Sequence, residues 1–213
     1  MKRTFDLILL ISTFPFWGGI VLLCYIFNVL FEGFPGFYSS KRYIGHGKSI
    51  SILKFRVMLK NIDKKLNRST VAIDNQIFFN LPVDIEIYTS FGLILERFGI
   101  TELPQFFSVL KGDMSIVGAR PLPDNVFSKL NEKFPNLANN RFESKCGLTG
   151  LPQMVGRDRL SDEERLFLES SYANWANTKY SFLVDFKILF FTIFIVLGLK
   201  KKASINDVLL MLE

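Results

Sequence analysis

Residues 102–121 read Glu-Leu-Pro-Gln-Phe-Phe-Ser-Val-Leu-Lys-Gly-Asp-Met-Ser-Ile-Val-Gly-Ala-Arg-Pro. This run predicts a short helix over residues 102–110, with Thr101 as its N-cap. Downstream, Ser161-Asp-Glu-Glu164 has the spacing of a capping box and predicts the start of a second helix. Upstream, residues 33–48 carry Gly33, Pro35, Gly36, Gly45 and Gly47, which mark turns. Residues 49–58 begin with apolar alternation and read as a strand. Residues 61–82 read as a polar loop ending in a Phe-rich piece.

A chain of 213 residues is long enough for one domain with a real core. Its 49% hydrophobic content and 23 Phe are high for a soluble domain and point toward a membrane. The net charge of +6 fits nucleic acid, anionic lipid or a phosphorylated ligand. No nucleic-acid motif is present, so a nucleic-acid partner rests on charge alone, and the long apolar segment favours lipid and phosphate. Cys24 and Cys146 make no disulfide framework, and the single His46 argues against a zinc site of the usual type.

Residues 5–31 are almost wholly apolar, long enough for a transmembrane helix and too long for a cleaved signal peptide. Lys2 and Arg3 precede the segment and Lys41 and Arg42 follow it, which keeps both ends on the cytoplasmic side. Pro15, Gly18 and Gly19 lie where a helix can break. A hairpin entering and leaving one face and a single kinked crossing are equally compatible with these residues. Near the other end, residues 182–199 are apolar except for Asp185 and Lys187, and Lys200, Lys201 and Lys202 follow. The stretch reads either as a buried core helix or as one lying on a membrane surface with its lysines toward anionic headgroups.

Lys41, Arg42, Lys48, Lys54, Arg56, Lys60, Lys64, Lys65 and Arg68 crowd one stretch, most of them as a solvated face or membrane contact. Lys54 and Arg56 differ because they are two apart on the expected strand and share a face. Two cations on one face suit a phosphate or diphosphate. By residue pattern alone Arg120, Arg141 and Arg157 read as ordinary surface charges.

The run 102–121 resembles the central block of the bacterial sugar transferases, the monotopic polyprenyl-phosphate phosphoglycosyl transferases. That family carries Asp-Glu before Leu-Pro-Gln, then Lys-Gly-Asp-Met-Ser and Gly-Pro-Arg-Pro. The resemblance extends from Lys2-Arg3-x-Phe5-Asp6 through Lys54-Phe-Arg56-Val-Met, Gly147-Leu-Thr-Gly150 and Gln153-Met-Val-Gly-Arg157 to Val184-Asp-Phe-Lys-Ile-Leu189. It implies an α+β, mostly α architecture: a re-entrant membrane helix over 1–32, broken near Gly18-Gly19, then a cytosolic domain over 33–213. That domain would hold a β-hairpin and a membrane-surface helix near 182–199. It also implies residence at the cytoplasmic face of the bacterial inner membrane, with other glycan-assembly enzymes as possible partners.

The implied chemistry is phosphoryl transfer in two steps. A carboxylate attacks the sugar-bearing phosphate of a UDP-sugar and UMP leaves; polyprenyl phosphate then takes the phosphosugar. The nucleophile must be ionised at neutral pH, and Mg²⁺ spreads the charge on the diphosphate. By resemblance, Glu102 is a catalytic residue and the metal ligand, and Lys54, Arg56, Arg120, Arg141 and Arg157 bind substrate. Thr101 stands at the position of the family's Asp, and its hydroxyl is un-ionised at neutral pH. Glu102 cannot simply swap roles, because successive helical residues point about 100° apart. Further departures fall at Ser90, Glu96 (an Arg in the family) and Gly99, all in one window with Thr101. A non-catalytic homologue that binds lipid, nucleotide or a partner enzyme is the alternative function.

Overall fold

The structure, a computed structural model, describes residues 1–59, 77 and 87–213. Apart from residue 77, the expected polar loop at 61–82 lies outside the described residues, as do Lys60, Lys64, Lys65 and Arg68. The described chain is α+β and mostly helical.

The N-terminal segment forms two helices, α1 (Lys2–Ser12) and α2 (Phe14–Glu32). The break falls at Thr13, not at Gly18-Gly19, which lie inside α2. Pro15 accounts for this: in the first turn of a helix its missing N–H is an orphan anyway. Thr13 also turns its hydroxyl back to the Leu9 carbonyl at 2.6 Å.

Both ends of this helical pair are tied to the same domain. At the start, the Lys2 ammonium donates to Asp185 and to the Tyr172 hydroxyl, each at 2.7 Å. Arg3 donates to the carbonyls of Val109 and Leu110, and Asp6 accepts from the Ser115 hydroxyl at 2.8 Å and the Ile116 N–H at 3.2 Å. At the far end, the Asn28 amide donates to the carbonyls of Gly36 and Arg56 at 2.8 and 3.0 Å. Between these ends Trp17 is buried, packing edge-on against Phe106 and Phe107. Leu10, Trp17 and Val21 belong to the same apolar core as Ile116, Leu168 and Ile188.

After α2, β1 (Phe37–Gly45) and β2 (Lys48–Phe55) pair antiparallel, Phe37 opposite Phe55. Turn signals alone were expected over 33–48, yet residues 37–45 form a strand. Its alternation is blurred because few of its side chains are fully buried. Then follow α3 (Ser90–Arg97), a 3-10 turn (Ile100–Gln105) and α4 (Phe106–Lys111). The expected helix from 102 thus begins as a 3-10 turn, which accommodates Pro104. Thr101 lies within the turn and is not its N-cap; that place is Gly99, in the left-handed region.

Lys111-Gly-Asp-Met-Ser115 ends α4. Gly112 takes φ 94°, which favours glycine, and sends the chain into the buried strand β3 (Ser115–Val117). β3 pairs in parallel with β4 (Gly147–Thr149). Here Gly118 approaches the backbone of residues 145–147 so closely that a Cβ would meet the Lys145 carbonyl.

Helices α5 (Asp124–Lys133) and α6 (Pro135–Asn140) lie between these strands in sequence, and α7 (Leu151–Val155) follows β4. Helix α8 (Asp162–Thr178) starts with the predicted capping box of Ser161 and Glu164. Helix α9 (Phe182–Val196) buries Asp185 and Ile188 and exposes Leu183, Phe186, Phe190 and Ile193. A short α10 (Ile205–Leu209) closes the fold. Of the three lysines expected to face headgroups, Lys202 instead pairs with Asp158 at 2.6 Å, because the chain after α9 turns back over Gly156.

Candidate phosphosugar-transfer site

Four segments converge on Glu102. Strand β2 presents Lys54, whose ammonium donates to Glu102 Oε1 at 2.7 Å. The segment after β3 presents Arg120, whose guanidinium grips both carboxylate oxygens, with Nη1 to Oε2 at 2.9 Å. The 3-10 turn carries Glu102 itself, and a second turn after α7 (Arg157–Arg159) carries Arg157. A two-toothed arginine–carboxylate pair fixes orientation as well as charge.

The electrostatics follow from this packing. Burial opposes the charge on Glu102, yet Arg120 and then Lys54 outweigh it and hold the carboxyl well below the usual carboxylate range. Burial lowers the Lys54 ammonium from its ordinary value, against the pull of Glu102. For Arg120, burial works against the charge but Glu102 more than offsets it, with Glu96 and Glu169 adding. Arg120, followed by burial, brings the Arg157 guanidinium down to about 10, so it is still a cation at neutral pH. Among the described residues nothing pairs with Arg157. Lys54 and Arg120 are thus engaged by Glu102, and Arg157 beside them is unengaged.

The other expected contacts sit elsewhere. Arg56 does not join Lys54: it falls just past β2, where its guanidinium donates to the carbonyls of Glu32, Gly33 and Pro35 at 2.6–2.7 Å. A cation at a helix C-terminus satisfies orphan carbonyls and the helix dipole, and here it fastens the end of α2. Arg141 has no solvent-exposed surface. It pairs with Glu169 at 2.6 Å and donates to the Arg120 carbonyl at 2.7 Å, so it positions Arg120 from behind. Its neighbour Phe142 is buried against Tyr43 and Phe127.

Thr101 is buried, and its hydroxyl donates to Glu96 Oε2 at 2.8 Å. The sequence flagged both positions as departures but gave no sign that they touch. Also unread were the roles of Asp6 and Asp185. An acid inside an apolar run is a signal that a buried partner exists, and both acids proved to be clasps for the N-terminus.

For Mg²⁺, no group of three or more His, Cys, Asp or Glu among the described residues forms a cage. The ion does not need one: it keeps several waters and takes one or two carboxylates plus phosphate oxygens. Glu102 fits that limited part through Oε2, which accepts only from Arg120 and keeps one lone pair, whereas Oε1 accepts from both Lys54 and Arg120.

Comparison with known proteins defines the class. The family model for bacterial sugar transferases matches residues 1–199, and the chain belongs to that family. An uncharacterized sugar transferase, EpsL, of Bacillus subtilis is 35% identical over 91% of this chain and 85% of its own length. The UDP-galactose-lipid carrier transferase of Erwinia amylovora is 34% identical over 92% of this chain and 40% of its own length. The undecaprenyl-phosphate galactose phosphotransferase of Salmonella typhimurium is 32% identical over 82% of this chain and 37% of its own length. The chain thus spans well under half of the latter two.

Proposed function

We propose that this chain moves a phosphosugar from a UDP-sugar to a polyprenyl phosphate, starting a surface polysaccharide or glycoconjugate. The observation that carries the reading is the unengaged Arg157 beside the Lys54–Glu102–Arg120 cluster: a fixed excess of positive charge suits a diphosphate. Arg157 meets the anion, Arg120 and Lys54 add charge, and Glu102 keeps those two cations in place. The names of the Erwinia and Salmonella relatives support the donor and the lipid acceptor. Mg²⁺, held by Glu102 together with the ligand's phosphates, would spread the negative charge of the diphosphate.

The site works at the cytoplasmic face of the bacterial inner membrane. Helix α2 is apolar and long enough by length and composition to cross a bilayer. Yet Trp17, Val21 and Asn28 all pack on the domain that also holds the start of α1. A helix bound to one cytosolic body at both ends of this 11-residue interval, about 16 Å of rise, favours a shallow re-entrant hairpin. Exposed Phe16, Leu23, Leu30 and Phe31 on α2, with Phe186 and Phe190 on α9, supply the lipid-facing surface.

One observation favours a second reading. With Thr101 at the family's nucleophile position, the chain would bind nucleotide or lipid, or a partner glycan-assembly enzyme, without turnover. The two readings separate in nanodiscs containing undecaprenyl phosphate and UDP-[¹⁴C]galactose or UDP-[¹⁴C]glucose. Label moving into the organic phase with matching UMP release supports transfer; tight UDP binding with neither supports the non-catalytic reading.

A further inference from the structure

We propose that Glu96 is the nucleophile of this chain, its carboxylate taking over the part that Thr101 cannot play; this rests on the transfer reading above. The departures from the family pattern are not scattered. Gly99 takes a left-handed φ of 66° immediately after α3 and folds the chain so that residue 101 returns to residue 96. The acid that the resemblance places at 101 thus reappears at 96, in hydrogen-bond contact with the residue that replaced it.

The geometry suits attack. Thr101 is buried and holds Glu96 Oε2, while among the described residues no hydrogen bond reaches Oε1, and the Glu96 side chain is exposed. Thr101, which holds Glu96, is the immediate neighbour of Glu102 in the 3-10 turn, so the carboxylate lies beside the Lys54–Glu102–Arg120 cluster, and it also bears electrostatically on Arg120 and Arg157. Glu102 is ill suited to the task, since Lys54 and Arg120 already occupy both of its oxygens.

Leaving-group chemistry separates Glu96 from Thr101. In the first step Glu96 Oε1 attacks the sugar-bearing phosphorus and forms an O–P bond. The bond from that phosphorus to the bridging oxygen breaks, and the oxygen departs with its electron pair as UMP. In the second step a polyprenyl phosphate oxygen attacks the same phosphorus and the carboxylate leaves, which regenerates Glu96. A carboxylate is the base of an acid with a pKa of about 4 and leaves readily. A threonine alkoxide does not, so a phosphothreonine would trap the protein before the second step.

The test is to incubate the full chain in nanodiscs, without acceptor lipid, with a panel of UDP-sugars labelled with ³²P at the sugar-bearing phosphate. The panel is UDP-galactose, UDP-glucose and their N-acetylated forms. The expected result is a UMP burst matched by protein-bound label that hydroxylamine releases, mapping to the peptide that contains Glu96. Glu96→Gln should lose label and burst by about 1000-fold while holding UDP within about threefold of wild type. Hydroxylamine-resistant label on Thr101, or a burst that survives in Glu96→Gln, overturns the assignment and leaves the transfer reading standing. UDP binding with no UMP from any sugar removes the transfer reading, and the assignment with it. Mapping the label on wild type needs no variant to fold.

Discussion

Replacing Lys2 with Met tests how the membrane segment is held. Asp185 is fully buried and accepts from Lys2 at 2.7 Å, Tyr172 at 2.5 Å and Tyr180 at 3.2 Å. Breaking a buried pair by removing one partner costs about 3–5 kcal/mol, because a charge is left uncompensated. Two considerations reduce that figure. Lys2 retains 19% exposure, and both tyrosine hydroxyls stay in place to solvate Asp185. The expected loss is therefore about 2 kcal/mol, between the surface and buried limits. For a chain of this size that is a fall in Tm of about 4–8 °C. The assay is thermal unfolding in nanodiscs, followed by tryptophan fluorescence. Trp17 is buried against α4 and Trp175 lies beside Tyr172, so the probes report the clasp and the core behind it. The Asp185→Asn variant and the double variant complete a cycle, with a coupling of at least about 1 kcal/mol expected for groups in direct contact. A Tm for Lys2→Met within about 1 °C of wild type, or additive single variants, would refute the clasp.

Three further outcomes follow from the site. Glu102 is held ionised in the fold, so between the ordinary glutamate value near 4.5 and its lower folded value the unfolded chain binds more protons. Stability should be fully present above about pH 4.5 and fall as pH drops below it, and Glu102→Gln should flatten that slope in denaturant titrations at pH 3–6. Thr101→Asp places a second carboxylate against Glu96; it should cost about 1 kcal/mol at pH 7 by like-charge repulsion, and adding Glu96→Arg should restore the loss in the same titrations. Mg²⁺ should bind weakly alone and at least about tenfold more tightly with UDP present, by calorimetry; equal affinities would remove Glu102 and the phosphates as joint donors.

The legible parts of the chain were those where local chemistry decides the outcome. The capping box at Ser161 and the strand before Lys54 depend on neighbours in sequence, and both formed. The break in the membrane segment was legible as an event but not as a position: Pro15 ends the choice at Thr13, and the glycines are absorbed into α2 because a long apolar helix tolerates them. Lys54 and Arg56 looked equivalent by strand period, yet pairing ends at Phe55, and Arg56 turns to the carbonyls at the end of α2. Arg141 read as a ligand contact because a motif says nothing about depth. Its burial with Glu169 and Arg165 depends on α8, far along the chain. The contact between Glu96 and Thr101 is short in sequence but depends on the sign of one φ angle at Gly99.

The most direct measurement is the affinity for UDP of wild type and Arg157→Ala, by calorimetry in nanodiscs with Mg²⁺. A hydrogen bond to a charged group contributes about 1.5–3 kcal/mol, so losing the unengaged cation should weaken UDP about 10- to 150-fold without lowering Tm. An Arg157→Ala protein that binds UDP as wild type does would contradict the diphosphate site at its centre.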